Sequence, residues 1–139
     1  VEPRISLVTL GVSDLVVSRE FYRRLGWEPV LDVEETVFFQ LGPMVLSLWS
    51  RRSLAEDAGM VDRGGWGGFA LAHNVGSAAE VDAVIAEATA AGATITRPPG
   101  PTTWGGYTGI FCDPDGHPWE VAHNPGFTLG EDGSLTIPV

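Results

Sequence analysis

Residues 4–49 and 69–124 run through the same order of patterns, β-α-β-β-β, and this duplication restricts the fold more than any other feature of the chain. In the first copy Arg4 to Val12 is apolar and β-branched, and Ser13-Asp14 supplies a helix cap. Val17, Phe21 and Leu25 then recur at four-residue intervals, while Arg19, Glu20, Arg23 and Arg24 suit water and Gly26 closes the helix. Trp27 to Leu31, Thr36 to Leu41 and Met44 to Trp49 read as three strands, the last two joined at Gly42-Pro43. In the second copy Phe69 to Val75 is a strand and Ser77 with Glu80 a capping box. Val81, Val84, Ile85 and Ala88 form an apolar stripe that Gly92 ends. Ala93 to Arg97, Tyr107 to Cys112 and Trp119 to His123 complete the repeat.

Residues 50–68 are charged and glycine-rich and read as a connection, in which Ser53 with Glu56 can cap one or two helical turns. The tail, 125–139, carries Asp132-Gly133 between short apolar runs and predicts a terminal hairpin. The expected fold is α+β: two tandem βαβββ modules whose paired, curved mixed sheets surround a cavity, with the helices outside. Module 1 (4–49), the linker (50–68), module 2 (69–124) and the tail then make one domain over 1–139.

Asp113-Pro114-Asp115-Gly116 is a strong turn signal, because proline presets one backbone angle and glycine accepts a positive φ. The flanking strands place Glu120 in mid-strand. Alternation puts Glu120, Ala122 and Asn124 on one face, with Trp119, Val121 and His123 on the other. A carboxylate there needs a partner, a ligand or water, since an unpaired charge is costly to bury.

Composition narrows the function class. A net charge of −10 argues against nucleic acid and anionic membranes, whose recognition depends on basic patches, and suits a cationic ligand. No apolar run approaches the roughly 20 residues that cross a bilayer. The single Cys112 fits a reducing compartment, and a cytoplasmic location is expected. There is no dinucleotide or phosphate-loop glycine pattern, no cysteine pair for zinc and no nucleophile-elbow serine.

The run Leu10-Gly-Val-Ser-Asp14, then Ser18-Arg-Glu-Phe21-Tyr22-Arg-Arg-Leu25-Gly26, with Asp113-Pro-Asp-Gly116-His-Pro-Trp-Glu120, resembles the glyoxalase, bleomycin-resistance protein and extradiol dioxygenase superfamily, the vicinal oxygen chelate fold. The resemblance spans residues 4–124 and implies paired βαβββ modules around a shared cavity. Its enzymes commonly hold a divalent metal through a histidine on the first strand of each module and carboxylates on the last strands. Here the first-strand position seven residues before Asp14 is Leu7, and its counterpart in module 2 is Ala70. Aligning Gly42 with Gly116 makes Leu46 the counterpart of Glu120. Glu120 alone retains a ligating side chain, and one carboxylate is a poor divalent site, so neither metal nor cofactor is expected.

His73 and His123 fall on the faces opposite those positions and read as structural, as hydrogen bonds between the modules, with metal ligation as the alternative. His117, beside the turn, is expected to be exposed. Glu120 keeps two readings: a general base or ligand-binding carboxylate in an apolar cavity, or an acid that pairs with an arginine or with Tyr and Trp donors to fix the core. The loop Pro98 to Tyr107 places Trp104 and Tyr107 at the mouth of a strand, where with Trp49 they either wall a pocket for a planar ligand or plug the end of the sheet.

The expected function is capture of a small cationic or aromatic molecule in a metal-free cavity lined by Leu7, Leu46, Trp49, Ala70, Trp104, Tyr107 and Glu120. The alternative is a lyase, isomerase or dioxygenase-type enzyme with a non-standard metal site or with Glu120 as base. Modules of this kind pair within one chain or by exchange in a homodimer, and linker length does not distinguish the two.

Overall fold

The computed structural model describes residues 1, 3–67 and 69–138. Ten strands and three helices are present among them. They divide into two compact units, Val1–Gly65 and Trp66–Val139.

The first unit contains β1 (Leu7–Val12), α1 (Leu15–Arg24), β2 (Leu31–Val33), β3 (Thr36–Leu41), β4 (Met44–Ser50) and α2 (Arg51–Ala58). Its sheet runs β1-β4-β3-β2, with β1 parallel to β4 and the other pairs antiparallel. The helix begins where the sequence predicts, because Asp14 Oδ1 accepts the Val17 amide at 3.1 Å. The buried stripe is Ser18, Phe21 and Tyr22, and Val17 is 50% exposed. The four-residue spacing through Val17 thus misplaces the face by about one residue. The reason is the fully buried Tyr22, stacked on Trp27 with ring centroids 5.4 Å apart and touching Phe39 at 5.9 Å. Val37, Leu48, Leu46 and Leu10 complete this core.

Three local expectations change. The first strand starts at Leu7, and the expected strand at Trp27 to Leu31 is replaced by the three-residue β2. The connection holds a real helix, α2, capped by Ser50, whose Oγ accepts the Ser53 amide at 3.1 Å. Ser53 is therefore the recipient of a cap rather than its source.

The second unit repeats the plan with β5 (Leu71–Asn74), α3 (Ala78–Ala91), β6 (Thr94–Pro101), β7 (Tyr107–Cys112) and β8 (Pro118–His123). Its sheet order, β5-β8-β7-β6 with β5 parallel to β8, copies the first. Ser77 Oγ accepts the Glu80 amide at 3.2 Å and Gly92 ends α3 with φ of 104°, as the capping box and closing glycine predict. Val81, Ile85 and Ala88 are buried against the sheet that carries Phe111, Trp119 and Val121. Phe69 and Ala70 precede the strand, and β6 continues through Pro98 and Pro99 with register shifts. As an edge strand it tolerates prolines, which cannot donate to a ladder. The tail forms the predicted hairpin from β9 (Thr128–Leu129) and β10 (Leu135–Thr136). Both modules are thus βαβββ, each a mixed four-stranded sheet with a helix on one face.

Candidate functional site

In the second unit the register fixes which side chains share a face. Tyr107, Gly109 and Phe111 alternate toward α3: the Tyr107 hydroxyl donates to Asp82 Oδ1 at 2.8 Å, and a Cβ on Gly109 would lie 3.2 Å from Ile85. Thr108 and Ile110 take the opposite face, where Ile110 pairs with Glu120 and with Arg97. A row Arg97, Ile110, Glu120 therefore crosses three strands on the face away from the helix. Arg97 Nη2 donates to Thr108 Oγ1 at 2.6 Å and lies 3.7 Å from Glu120 Oε2. Glu120 is half-buried and Arg97 exposed, and at that separation they form an ion pair rather than a hydrogen bond. The carboxylate keeps its acceptor capacity.

Arg97 is the only arginine in residues 66–139, which contain no lysine and eight acidic residues. That count is the signal which would have marked Arg97 as Glu120's partner. The alternation around Glu120 is as read from the sequence, with Trp119 and Val121 buried under α3.

The expected binding residues are distributed as follows. Leu7 is 42% exposed and lies on the face of the first sheet away from α1, together with Trp49. Ala70 is exposed just before β5. Trp104 is 55% exposed, and its ring lies so close over Gly106 that a Cβ there would overlap it. Tyr107 is turned toward α3 and does not join Glu120.

Leu46 is a correction. It is 3% exposed and pairs with Phe39 on the α1 side, so it is core and not the counterpart of Glu120. Thr9 and Ala72 each stand five residues before their helix caps, Asp14 and Ser77, and their parallel partners are Ser47 and Glu120. Ser47 is thus the true counterpart, buried and joined to Thr9 by a 2.6 Å hydroxyl contact. The count from the turn glycine fails by one because β3 and β4 are joined directly across Gly42-Pro43, whereas residues 113–117 separate β7 from β8.

The histidines also depart from expectation. His117 is only 7% exposed, and its Nδ1 meets the buried Asp113 Oδ2 at 2.7 Å. Asp113 Oδ1 additionally accepts the amides of Asp115 and His117, each at 2.9 Å, so the Asp-Pro-Asp-Gly turn is locked by its own first carboxylate. His123 Nδ1 finds the Val75 carbonyl at 3.3 Å, a partner within its own module, and His73 is exposed.

The donors at the family's metal positions do not fit a divalent cation. Leu7 and Ala70 offer nothing, Ser47 offers a neutral hydroxyl, and Glu120 already faces a guanidinium. Among the described residues no group of three or more His, Cys, Asp or Glu side chains is placed to hold a metal. Elsewhere, Arg51 donates to both oxygens of Asp62 and holds that carboxyl at about 2, below its ordinary 3.8. The hydrogen bond from Tyr107 to Asp82 raises the phenol above its usual value. No helix among the described residues is long and apolar enough to cross a membrane.

Solved structures with this architecture include the glyoxalase-related enzyme from Fulvimarina pelagi, 39% identical, with 99% of each chain covered and a TM-score of 0.92. A glyoxalase/bleomycin resistance protein/dioxygenase from Nocardioides is 26% identical over 94% of this chain and 91% of its own, with a TM-score of 0.76. A lactoylglutathione lyase from Agrobacterium tumefaciens is 27% identical over 88% and 94%, with a TM-score of 0.68. No match was found among the curated proteins. Residues 4–121 match the model of the Glyoxalase/Bleomycin resistance protein/Dioxygenase superfamily, and the chain belongs to that superfamily.

Proposed function

We propose that this superfamily member binds a small organic molecule on the sheet face that carries Arg97, Thr108 and Glu120, and that it does so without a divalent metal. The observation that supports the reading most is the Glu120 carboxylate, held in mid-strand beside Arg97 at 3.7 Å yet free to accept. A cationic or donor-rich head group completes that carboxylate. Ile110 beside it is half-buried and offers apolar contact to a flat ligand body. A hydrogen bond to a charged group contributes about 1.5–3 kcal/mol, so losing it weakens binding by roughly 10- to 100-fold.

The test is a thermal-shift screen of cationic and aromatic small molecules against the wild-type chain, followed by calorimetric titration of the hits with Glu120→Gln. At least a tenfold loss of affinity in the variant supports the reading. Undiminished affinity, or a stoichiometric divalent metal in protein purified without chelator, overturns it.

A second reading is turnover, with Glu120 as general base. It draws on the relative from Fulvimarina pelagi, described as a glyoxalase-related enzyme and alike over nearly the whole chain. A base needs its carboxylate accessible and ionised, and the half-buried Glu120 meets the first condition. Module pairing within one chain, or by exchange in a homodimer, remains part of the proposal and is read by sedimentation.

A further inference from the structure

We propose that the C-terminal hairpin and the ends of β5 and β8 form a separate binding site for a small uncharged amphiphile. β5 and β8 are the parallel pair of the second sheet, and the ladder is carried one step past them by the Val75 amide, which donates to the Ala122 carbonyl at 2.9 Å. Beyond β8 the chain turns back on itself. Asn124 holds that turn twice, its Oδ1 accepting the Gly126 amide at 2.9 Å and its carbonyl the Phe127 amide at 3.1 Å. The hairpin that follows pairs Leu129 directly with Leu135, and both leucines line one cavity with Phe127, Asn74, His123 and Asn124. Its volume is about 410 Å³, within the range of small-molecule sites.

The chemistry of the lining selects the ligand. The apolar lining comes from Phe127, Leu129 and Leu135, and the polar lining includes the carboxamides of Asn74 and Asn124 and the His123 imidazole. The Val75 carbonyl only accepts, so the His123 Nδ1–H donates to it. Donors and acceptors thus stand together, which suits a hydroxyl or amide head.

No residue lining this cavity bears a fixed charge, although the unit around it is strongly acidic. An anion would find no cation there and a cation no carboxylate, and burying either unpaired is costly. At the matching ends of β1 and β4 the first unit has a cavity of about 450 Å³ with the opposite character. It is lined by Arg51, Arg52, Glu56 and Asp62, which pair with one another. Five of the six named lining residues of the uncharged cavity lie beyond residue 121, where the superfamily match ends. The site therefore lies mostly beyond the superfamily match and shares no residue with the Arg97–Glu120 face.

The test uses the full chain, ¹⁵N-labelled, titrated with p-cresol, p-toluate and 4-methylbenzylammonium, which share one ring and differ in charge. Saturable shifts at the amides of Gly76, Asn124, Phe127 and Leu129 with p-cresol, and at least tenfold weaker responses to the two ions, are expected. Leu129→Trp fills the cavity and abolishes the response in a folded protein. Leu135→Trp fills it from the opposite strand and serves if the first variant does not fold. No saturable shift at those amides, an undiminished response in the folded tryptophan variant, or ions that bind as well as p-cresol would each overturn the proposal. The Arg97–Glu120 reading is tested at other residues by another readout, so either can fail alone.

Discussion

Arg97 stands one nitrogen between Thr108 and Glu120: its Nη2 is 2.6 Å from the threonine hydroxyl and 3.7 Å from the carboxylate. The shorter contact anchors the guanidinium to β7, and the longer one leaves it beside Glu120 without closing on it. The asymmetry separates the two residues energetically. Arg97 is bound into the sheet by a charge-assisted hydrogen bond to a side chain that is 3% exposed, whereas the pair with Glu120 is wet and long.

Glu120→Gln is accordingly expected to change stability by less than about 0.5 kcal/mol, the scale of an exposed ion pair. Arg97→Ala should cost about 1–2 kcal/mol, because it strips a buried hydroxyl of its charged donor. Urea denaturation of both variants checks the order, and a larger loss for Glu120→Gln than for Arg97→Ala would contradict it.

The Asp113–His117 pair predicts a structural cost in a different place. Asp113 accepts two amides and the imidazole while almost wholly buried, so Asp113→Ala leaves several buried donors unmet. A loss of about 2–4 kcal/mol is expected. Asp113→Asn keeps one acceptor oxygen and should recover part of that loss in the same denaturation measurement.

Asp62 gives a pH dependence with a defined sign. Hydrogen bonds from Arg51, then from the Gly64 amide, lower its carboxyl from 3.8 to about 2. The folded group is the stronger acid, so its contribution is complete above 3.8, declines as pH falls and is gone below about 2. The stability difference between wild type and Asp62→Asn should therefore shrink between pH 5 and pH 2. A difference independent of pH in that window would refute the assignment.

Gly106 and Trp104 predict a steric coupling. A Cβ at Gly106 would overlap the indole and come within 2.9 Å of the His123 carbonyl. Gly106→Ala should cost about 1–3 kcal/mol, the range of overpacking. Removing the ring should relieve part of it, so the double variant with Trp104→Ala is expected to lose less than the sum of the two single ones. Additive losses would show that the carbonyl alone sets the strain.

Several of these relationships are legible in the amino-acid sequence. Asp14 and Ser77 cap their helices as their residue types require, and Gly92 closes α3. The face assignment around Glu120 followed from alternation alone. Leu46 and His117 were not legible, for separate reasons. Counting from the turn glycine points to Leu46, but the two turns differ in length. A position just after a polar turn suits exposure, and the Asp113 carboxylate that draws His117 inward acts across space.

The amino-acid sequence by itself determined the duplicated βαβββ plan, its helix caps and its superfamily, because propensity, capping and period-two alternation act between residues close along the chain. Tertiary structure decided that Arg97 faces Glu120, that Ser47 occupies Glu120's counterpart position and that the tail's leucines oppose each other over a cavity. Those outcomes depend on strand register, which is set by hydrogen bonds between segments far apart in sequence.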